Sequence, residues 1–362
     1  MMKTDHKKYF ALLAEKLQEI TKKPLKIMEV CGTHTMAIGK SGIRRIIPPE
    51  IHLISGPGCP VCVTADKDID AFLRLAQTEN VIIATYGDMI RVPGSEGSLA
   101  EMKAHGADVR VVYSALEALQ IARQNSTKEV IFLGVGFETT TPATAHALKL
   151  ARHENLINFS VFNMHKTVPQ ALRVLLEDEN CKIDGFILPG HVSAIIGEKP
   201  YAFLAEEYKV AGVITGFEAP EIMAGLVKLV QDIQAGKASI NNLYRHVVHP
   251  DGNLHAQKLI DEVFELADAE WRGIGIIPDS GLKIRDEYSD YDAEKKFAVE
   301  KRAVKMFPGC RCGEILKGTI KPLACPLFMK HCTPEKPVGP CMVSSEGTCA
   351  AYYLYEGADA SE

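Results

Sequence analysis

Residues 25–62 read LKIMEVCGTHTMAIGKSGIRRIIPPEIHLISGPGCPVC, and the fold of the chain can be argued outward from them. An apolar run, LKIMEV at 25–30, ends on Cys31-Gly-Thr-His-Thr; a second, IHLIS at 51–55, ends on Gly-Pro-Gly-Cys59-Pro-Val-Cys62. Short apolar runs closed by glycine and proline predict buried strands. The pattern recurs at 81–86, 108–113, 129–135, 157–162, 183–189 and 210–216, with amphipathic segments such as ADKDIDAFLRLAQ and TPATAHALKLARH between. Strands alternating with helices of this length imply βαβ units and parallel sheets. The expected fold is therefore α/β: two four-stranded parallel-sheet domains, 25–126 and 127–235, facing a cleft and dividing at the polar stretch 124–129. A closed eight-stranded barrel is the alternative. An N-terminal helix (1–24) is expected to dock on a third, cysteine-rich unit, 236–362. There a polar segment (241–265) leads into one more helix, then GIGIIPDSGLKI (273–284) and a charged helix, DAEKKFAVEKR (292–302).

The unusual residues fall where such strands end. Gly87-Asp88, Gly136-Phe137-Glu138-Thr139, Asn163-Met164-His165-Lys166, Pro189-Gly190-His191-Val192-Ser193 and Gly216-Phe217-Glu218 join the two cysteine motifs in that position. Open α/β sheets bind ligands at the carboxyl ends of their strands, so these loops are expected to line one cleft. Individually they are weak signals. Gly134-x-Gly136 lacks the rest of a dinucleotide fingerprint, no P-loop is present, and Asp88 and Glu138 also read as helix caps. His165 and His191 read equally as ligands or as histidines satisfied by backbone, with His191 the better candidate.

Composition removes several function classes. The chain has 362 residues, enough for two or three domains. A formal net charge of −5 and a pI near 6.2 argue against binding nucleic acid or an anionic membrane. The first residues carry charges throughout and do not read as a signal peptide, and no run approaches the roughly 20 apolar residues of a membrane span. The expectation is a cytoplasmic protein, in which clustered cysteines read as metal ligands or redox thiols rather than structural disulfides.

Ten cysteines are present, six of them in the last fifty-odd residues: Cys310, Cys312, Cys325, Cys332, Cys341 and Cys349. Cys310, Cys325, Cys332 and Cys349 are spaced by 14, 6 and 16 residues among many prolines and glycines. Four thiolates can close a zinc site or hold a 4Fe-4S cluster, and this spacing matches neither a zinc ribbon nor a bacterial ferredoxin run. Cys312 and Cys341, in excess of four, could form a disulfide that takes electrons from a cluster. At the front, Cys31 precedes an expected helix start, where the helix N-terminus and a His34 imidazolium would stabilise a thiolate. Cys59 and Cys62 form a C-x-x-C after a strand, as in dithiol redox loops, though zinc uses the same spacing. Cys181 has no partner motif and reads as structural.

Taken together, KIMEVCGTHTMAI, SGPGCPVC, PGHVSAIIG and CRCGEILKG…CPLF…CTPEKPVGPCMVSSEGTCAAYY closely resemble the HypD family of NiFe-hydrogenase maturation factors along nearly the whole chain. The resemblance implies two Rossmann-like domains with a C-terminal iron-sulfur domain, and assembly of the Fe(CN)2(CO) group, with a HypC-type chaperone bringing iron and a HypE-type partner donating cyanide. It implies that Cys31 handles transient Fe(II) with CN and CO ligands, with Thr33 and His34 in the same motif, and that Cys59 and Cys62 are the dithiol. It also implies a 4Fe-4S cluster on Cys310, Cys325, Cys332 and Cys349, with Cys312 the alternative to Cys310. Glu346 is expected near the cluster and His191 among the binding residues. The residues alone leave two other readings open: an iron-sulfur-dependent thiol-disulfide oxidoreductase acting on another protein, and a zinc-stabilised scaffold.

Overall fold

The computed structural model describes residues 2–302 and 308–357, with side chains from residue 8 onward. All eight expected strands are present: β1 (Leu25–Glu29), β2 (Ile51–Ser55), β3 (Val81–Thr85), β4 (Asp108–Val111), β5 (Glu129–Gly134), β6 (Phe159–Asn163), β7 (Gly185–Leu188) and β8 (Ala211–Ile214). Three more follow: β9 (Ile240–Asn242), β10 (Phe264–Trp271) and β11 (Gly275–Ile284). Strands β1 to β9 make two open parallel sheets, ordered β2-β1-β7-β8-β9 and β4-β3-β5-β6, and among the described residues no barrel closes. Strands β10 and β11 pair as an antiparallel hairpin with a register shift at Ala267/Ala269.

The sheets do not divide at 124–129 as expected. The chain lays down β1 and β2, leaves to build the whole second sheet from β3 to β6, and returns to complete the first with β7, β8 and β9. Both sheets are parallel with covered faces, so every strand carries the same continuous apolar signature. Nothing in that signature says which sheet a strand joins. Met28, Val30, Ile54, Phe186 and Leu188 of the first sheet and Ile83, Ile131 and Leu133 of the second share one continuous core.

Three further expectations are corrected. The N-terminal helix Met2–Ile20 packs on the helix Ala219–Gln234 beside the first sheet, burying Leu13 and Leu17, and not on the cysteine-rich unit. The helix expected after the polar segment lies inside it, at Leu254–Val263, capped by Asn253, and β10 follows directly. The charged segment 292–302 is helical only over Ala293–Lys296, and Ala298 takes a left-handed φ of 46° that ends the turn. Among the described residues, no helix is long and apolar enough to cross a membrane.

Candidate functional site

In the first sheet β1 is flanked by β2 on one side and β7 on the other, so the strand order reverses beside its carboxyl end. Open α/β sheets leave a crevice at such a point. Cys31 occupies it, in extended conformation as the N-cap of the helix Gly32–Ser41. The loops after β2, β7 and β8, which carry the dithiol, His191 and Phe217, belong to the same sheet edge. The loops with Asp88, Glu138 and His165 follow strands of the other sheet.

The backbone at Cys31 is fixed from beneath. Glu29, fully buried at the end of β1, accepts the Cys31 N–H through Oε2 at 3.2 Å and the Thr35 hydroxyl through Oε1 at 2.6 Å. Arg44 approaches the same carboxyl at 4.0 Å and reaches on to Glu356 at 2.7 Å. Burial nonetheless pushes the Glu29 pKa up to about 7, against the pull of Ser55, Thr35 and Arg44. On one side Gly32 N–H donates to Gly58 O at 2.9 Å, which ties the loop to the residue before Cys59. A side chain at Gly58 would collide with the Cys31 backbone, and one at Gly32 would collide with Glu346. Both loops therefore need glycine for close approach.

Thr33, His34 and Glu346 act on Cys31, and His191 lies beyond them on Phe217. Thr33 Oγ1 donates to Glu346 Oε1 at 2.6 Å. This corrects the placement of Glu346, which lies against the Cys31 loop because residues 344–348 fold back onto it. The His34 ring and the His191 ring lie on Phe217, at centroid distances of 4.6 and 4.1 Å. His34 Nε2 meets Gly216 O at 3.0 Å, while its Nδ1 is buried without a hydrogen-bond partner. Burial lowers the His34 pKa to about 4, so the expected imidazolium beside Cys31 is a neutral imidazole. The thiol shifts the opposite way from expectation as well. Burial pushes Cys31 up to about 12, assisted by the Glu346 and Glu29 carboxylates and only partly offset by the His34 and Thr33 N–H groups.

Cys59 and Cys62 are paired as a disulfide, both buried, with Cα atoms 5.3 Å apart. Cys62 Sγ lies 4.0 Å from Pro340 O, next to Cys341. The dithiol loop thus touches the Cys31 loop through Gly58 and the cysteine-rich tail through Pro340.

All six tail cysteines line one cavity, with Ile315, Leu327, Phe328 and Gly339. They are free thiols, so no disulfide joins Cys312 to Cys341. Instead Cys312 hydrogen-bonds Cys341, and the Cys341 thiol donates to Cys349 Sγ at 3.4 Å. Cys332 Sγ accepts the Val338 N–H at 3.3 Å. Burial raises Cys310 to about 11. Among the described residues, no three or more His, Cys, Asp or Glu side chains are set to hold a single metal ion; the sulfurs are distributed around the cavity wall. Soft thiol donors around an apolar space are the chemistry that an iron-sulfur cluster requires. Beside them lies a buried guanidinium, that of Arg272, whose Nε, NH1 and NH2 have no hydrogen-bond acceptor. The residues present therefore fit a negatively charged sulfur-rich group. Cys181 stands apart, its thiol donating to Lys317 O at 2.9 Å, as expected of a structural cysteine.

Sequence reasoning missed Glu29 and Arg272, and named Phe217 only within a strand-end loop, with no role of its own. Glu29 had a signal: an acid closing an otherwise apolar central strand has to be satisfied where it stands. Arg272 had none, and the stacking of His34 and His191 on Phe217 joins residues too distant in the chain for a local signal.

A family model described as "HypD: Hydrogenase formation hypA family" matches residues 7–356. A hydrogenase maturation factor HypD from Rhodobacter capsulatus is 48% identical over 97% of this chain and 95% of its own length. The hydrogenase maturation factor HypD of Escherichia coli K12 is 46% identical over 94% and 92%. A putative hydrogenase expression/formation protein from Methanocaldococcus jannaschii is 43% identical over 95% and 94%.

Proposed function

The chain belongs to the HypD family of hydrogenase maturation factors, and on that premise we propose that it assembles the Fe(CN)2(CO) group of NiFe hydrogenases. Its cargo is Fe(II) delivered by a HypC-type chaperone, with cyanide from a HypE-type partner. Cys31 holds the iron together with a thiolate of the chaperone, in a cytoplasmic complex. Cys310, Cys325, Cys332 and Cys349 hold a 4Fe-4S cluster, with Cys312 able to replace Cys310, and when bound that cluster supplies single electrons. Cys59 and Cys62, between the two sulfur regions, form the exchangeable dithiol.

The observation that carries this reading is the position of Cys31. It sits at the reversal of strand order, its loop bonded to the dithiol loop and faced by Thr33, His34, His191 and Glu346. The electrostatics suit a carrier. With Glu29 and Glu346 nearby and no imidazolium, the thiol keeps its proton until a cation arrives to balance the charge. A soft, low-spin iron offers that cation and favours sulfur. Neutral His34 and His191 then remain as hydrogen-bonding groups beside the bound ligands.

Cys31→Ala tests the assignment. Co-purified anaerobically with its chaperone, the variant is expected to keep its visible iron-sulfur absorption and to lose the CN and CO infrared bands. Retention of those bands, or of hydrogenase maturation, sinks it. The competing reading, an iron-sulfur-dependent thiol-disulfide oxidoreductase, draws on the Cys59–Cys62 pairing. It requires turnover on a protein disulfide with no iron-cyanide bound, and the wild-type infrared spectrum decides between the two.

A further inference from the structure

Arg272 follows β10, and its side chain is almost wholly buried. Burying a guanidinium is unfavourable unless its charge and its donors are met. The charge is met only in part: NH1 lies 2.8 Å from Asp66 Oδ1, the first residue of the helix Asp66–Ala76. No hydrogen bond accompanies that contact, and Nε and NH2 have no acceptor either. The unmet donors lie beside the sulfur cavity. A Cβ on Gly339, which lines that cavity, would lie 3.6 Å from Arg272 NH2 and 3.6 Å from Cys310 Sγ. Cys312, Cys341 and Cys310 all act electrostatically on the guanidinium. Its backbone N–H donates to Val63 O at 3.0 Å, which anchors the residue to the loop that carries Cys59 and Cys62.

A structural arginine would be spent on carbonyls and carboxylates. This one is held by its backbone, touches a single carboxylate through NH1 and leaves Nε and NH2 without an acceptor beside the sulfur cavity, an arrangement suited to neutralising an anionic sulfur centre. We propose that Arg272 is the positioning cation of the tail cavity: it gives positive charge and N–H hydrogen bonds to the sulfur atoms held by Cys310, Cys312, Cys325, Cys332 and Cys349, and so favours the reduced state of the group bound there. Asp66 opposes it by drawing part of the guanidinium's field away. The inference rests on the cluster assignment made above and adds a residue outside the cysteine set.

The direction follows from electrostatics. One-electron reduction adds a negative charge to the bound group, and a nearby cation in a poorly screened interior stabilises that state. The experiment is an anaerobic, dithionite-driven redox titration of the reconstituted full-length protein, followed by electron paramagnetic resonance. Arg272→Gln is expected to shift the reduction equilibrium toward the oxidised state by roughly tenfold or more. Arg272→Lys, which keeps the charge, should recover most of that shift. Asp66→Asn should move the equilibrium the other way, toward reduction. A merely structural role predicts no such pair of opposite shifts. Should Arg272→Gln bind no cluster, Asp66→Asn alone decides, and a potential equal to wild type overturns the proposal. Equal potentials for loaded Arg272→Gln and wild type overturn it too, leaving the cluster assignment standing. A wild-type protein that takes up no iron-sulfur chromophore overturns that assignment and this inference together.

Discussion

Around Cys31 almost every backbone group is tied to something regular: β1 below, the helix Gly32–Ser41 above, and the neighbouring loop through Gly58. The tail from 308 to 357 has few such ties. Its cysteines sit on turns and on short helical pieces, Cys312–Leu316, Pro322–Ala324 and Pro340–Met342, with one longer helix, Thr348–Tyr355. Both regions are buried and rich in sulfur, yet one is held by the sheet, whereas the other, on the cluster assignment proposed above, would take its shape from the group its cysteines bind. A site shaped by the fold survives loss of its ligand, whereas folding of a ligand-shaped segment is linked to binding.

The largest expected effect breaks that symmetry directly. Cys332→Ser removes a thiol from the cavity wall and is expected to abolish visible iron-sulfur absorption and to open residues 308–345 to protease. Cys31→Ala is expected to leave both unchanged and to alter global stability by about 1 kcal/mol. Limited proteolysis of the two variants side by side checks the pair. Equal protection in both would mean that the tail holds its shape without its ligand.

A smaller effect belongs to the front region alone. The Glu29 carboxyl is held near 7 in the folded chain against an ordinary 4.5. The folded state thus retains a proton that the unfolded chain has released. Stability from this group is fully present below about 4.5 and is lost as pH rises to about 7, by about 3 kcal/mol at most. Glu29→Gln, which stays neutral, is expected to flatten the fall in denaturant midpoint across that window. A wild-type curve with the same slope as the variant would show that the carboxyl ionises freely beside Arg44. Glu138, likewise raised to about 7 by burial, contributes in the same direction and remains in both proteins.

The comparison also explains what could be read from the sequence. The strands and the loops at their ends were legible because apolar runs and glycine-rich motifs are local signals. Assignment of β7 and β8 to the sheet of β1 was not, because pairing across more than a hundred residues leaves no mark on a strand buried on both faces. β10 escaped because FELADAEW alternates weakly, its outer face partly polar and its inner face packed through Phe264 and Trp271. The meeting of Cys31, Thr33, His34 and His191 at one edge followed from strand-end logic. The contribution of Glu346 did not, since it comes from the irregular tail, where no periodicity predicts direction.

At the joint between the regions, Gly58→Ala tests how tightly the dithiol loop is fitted to Cys31. The added methyl group meets backbone rather than a flexible side chain, so one loop must move. Destabilisation of roughly 1–3 kcal/mol is expected, with faster alkylation of Cys31 as its loop loosens. Thermal unfolding and iodoacetamide kinetics report the two consequences separately. An unchanged alkylation rate with lowered stability would place the movement on the dithiol side.

Glu346→Gln is the mildest change and the sharpest on electrostatics. The amide oxygen can still accept from Thr33, so the tether between tail and front loop persists and stability should shift by less than about 1 kcal/mol. The negative charge is lost, and that charge is one of the forces holding the Cys31 proton in place. The thiol pKa should fall, and the alkylation rate at a fixed alkaline pH should rise, with the whole pH–rate curve displaced toward lower pH. Loosening of the loop, by contrast, would raise the rate at every pH without displacing the curve. The shape of that curve therefore separates a tail that acts on Cys31 through its charge from one that acts only through packing. An unmoved curve would leave Glu29 and burial as the whole reason the thiol stays protonated.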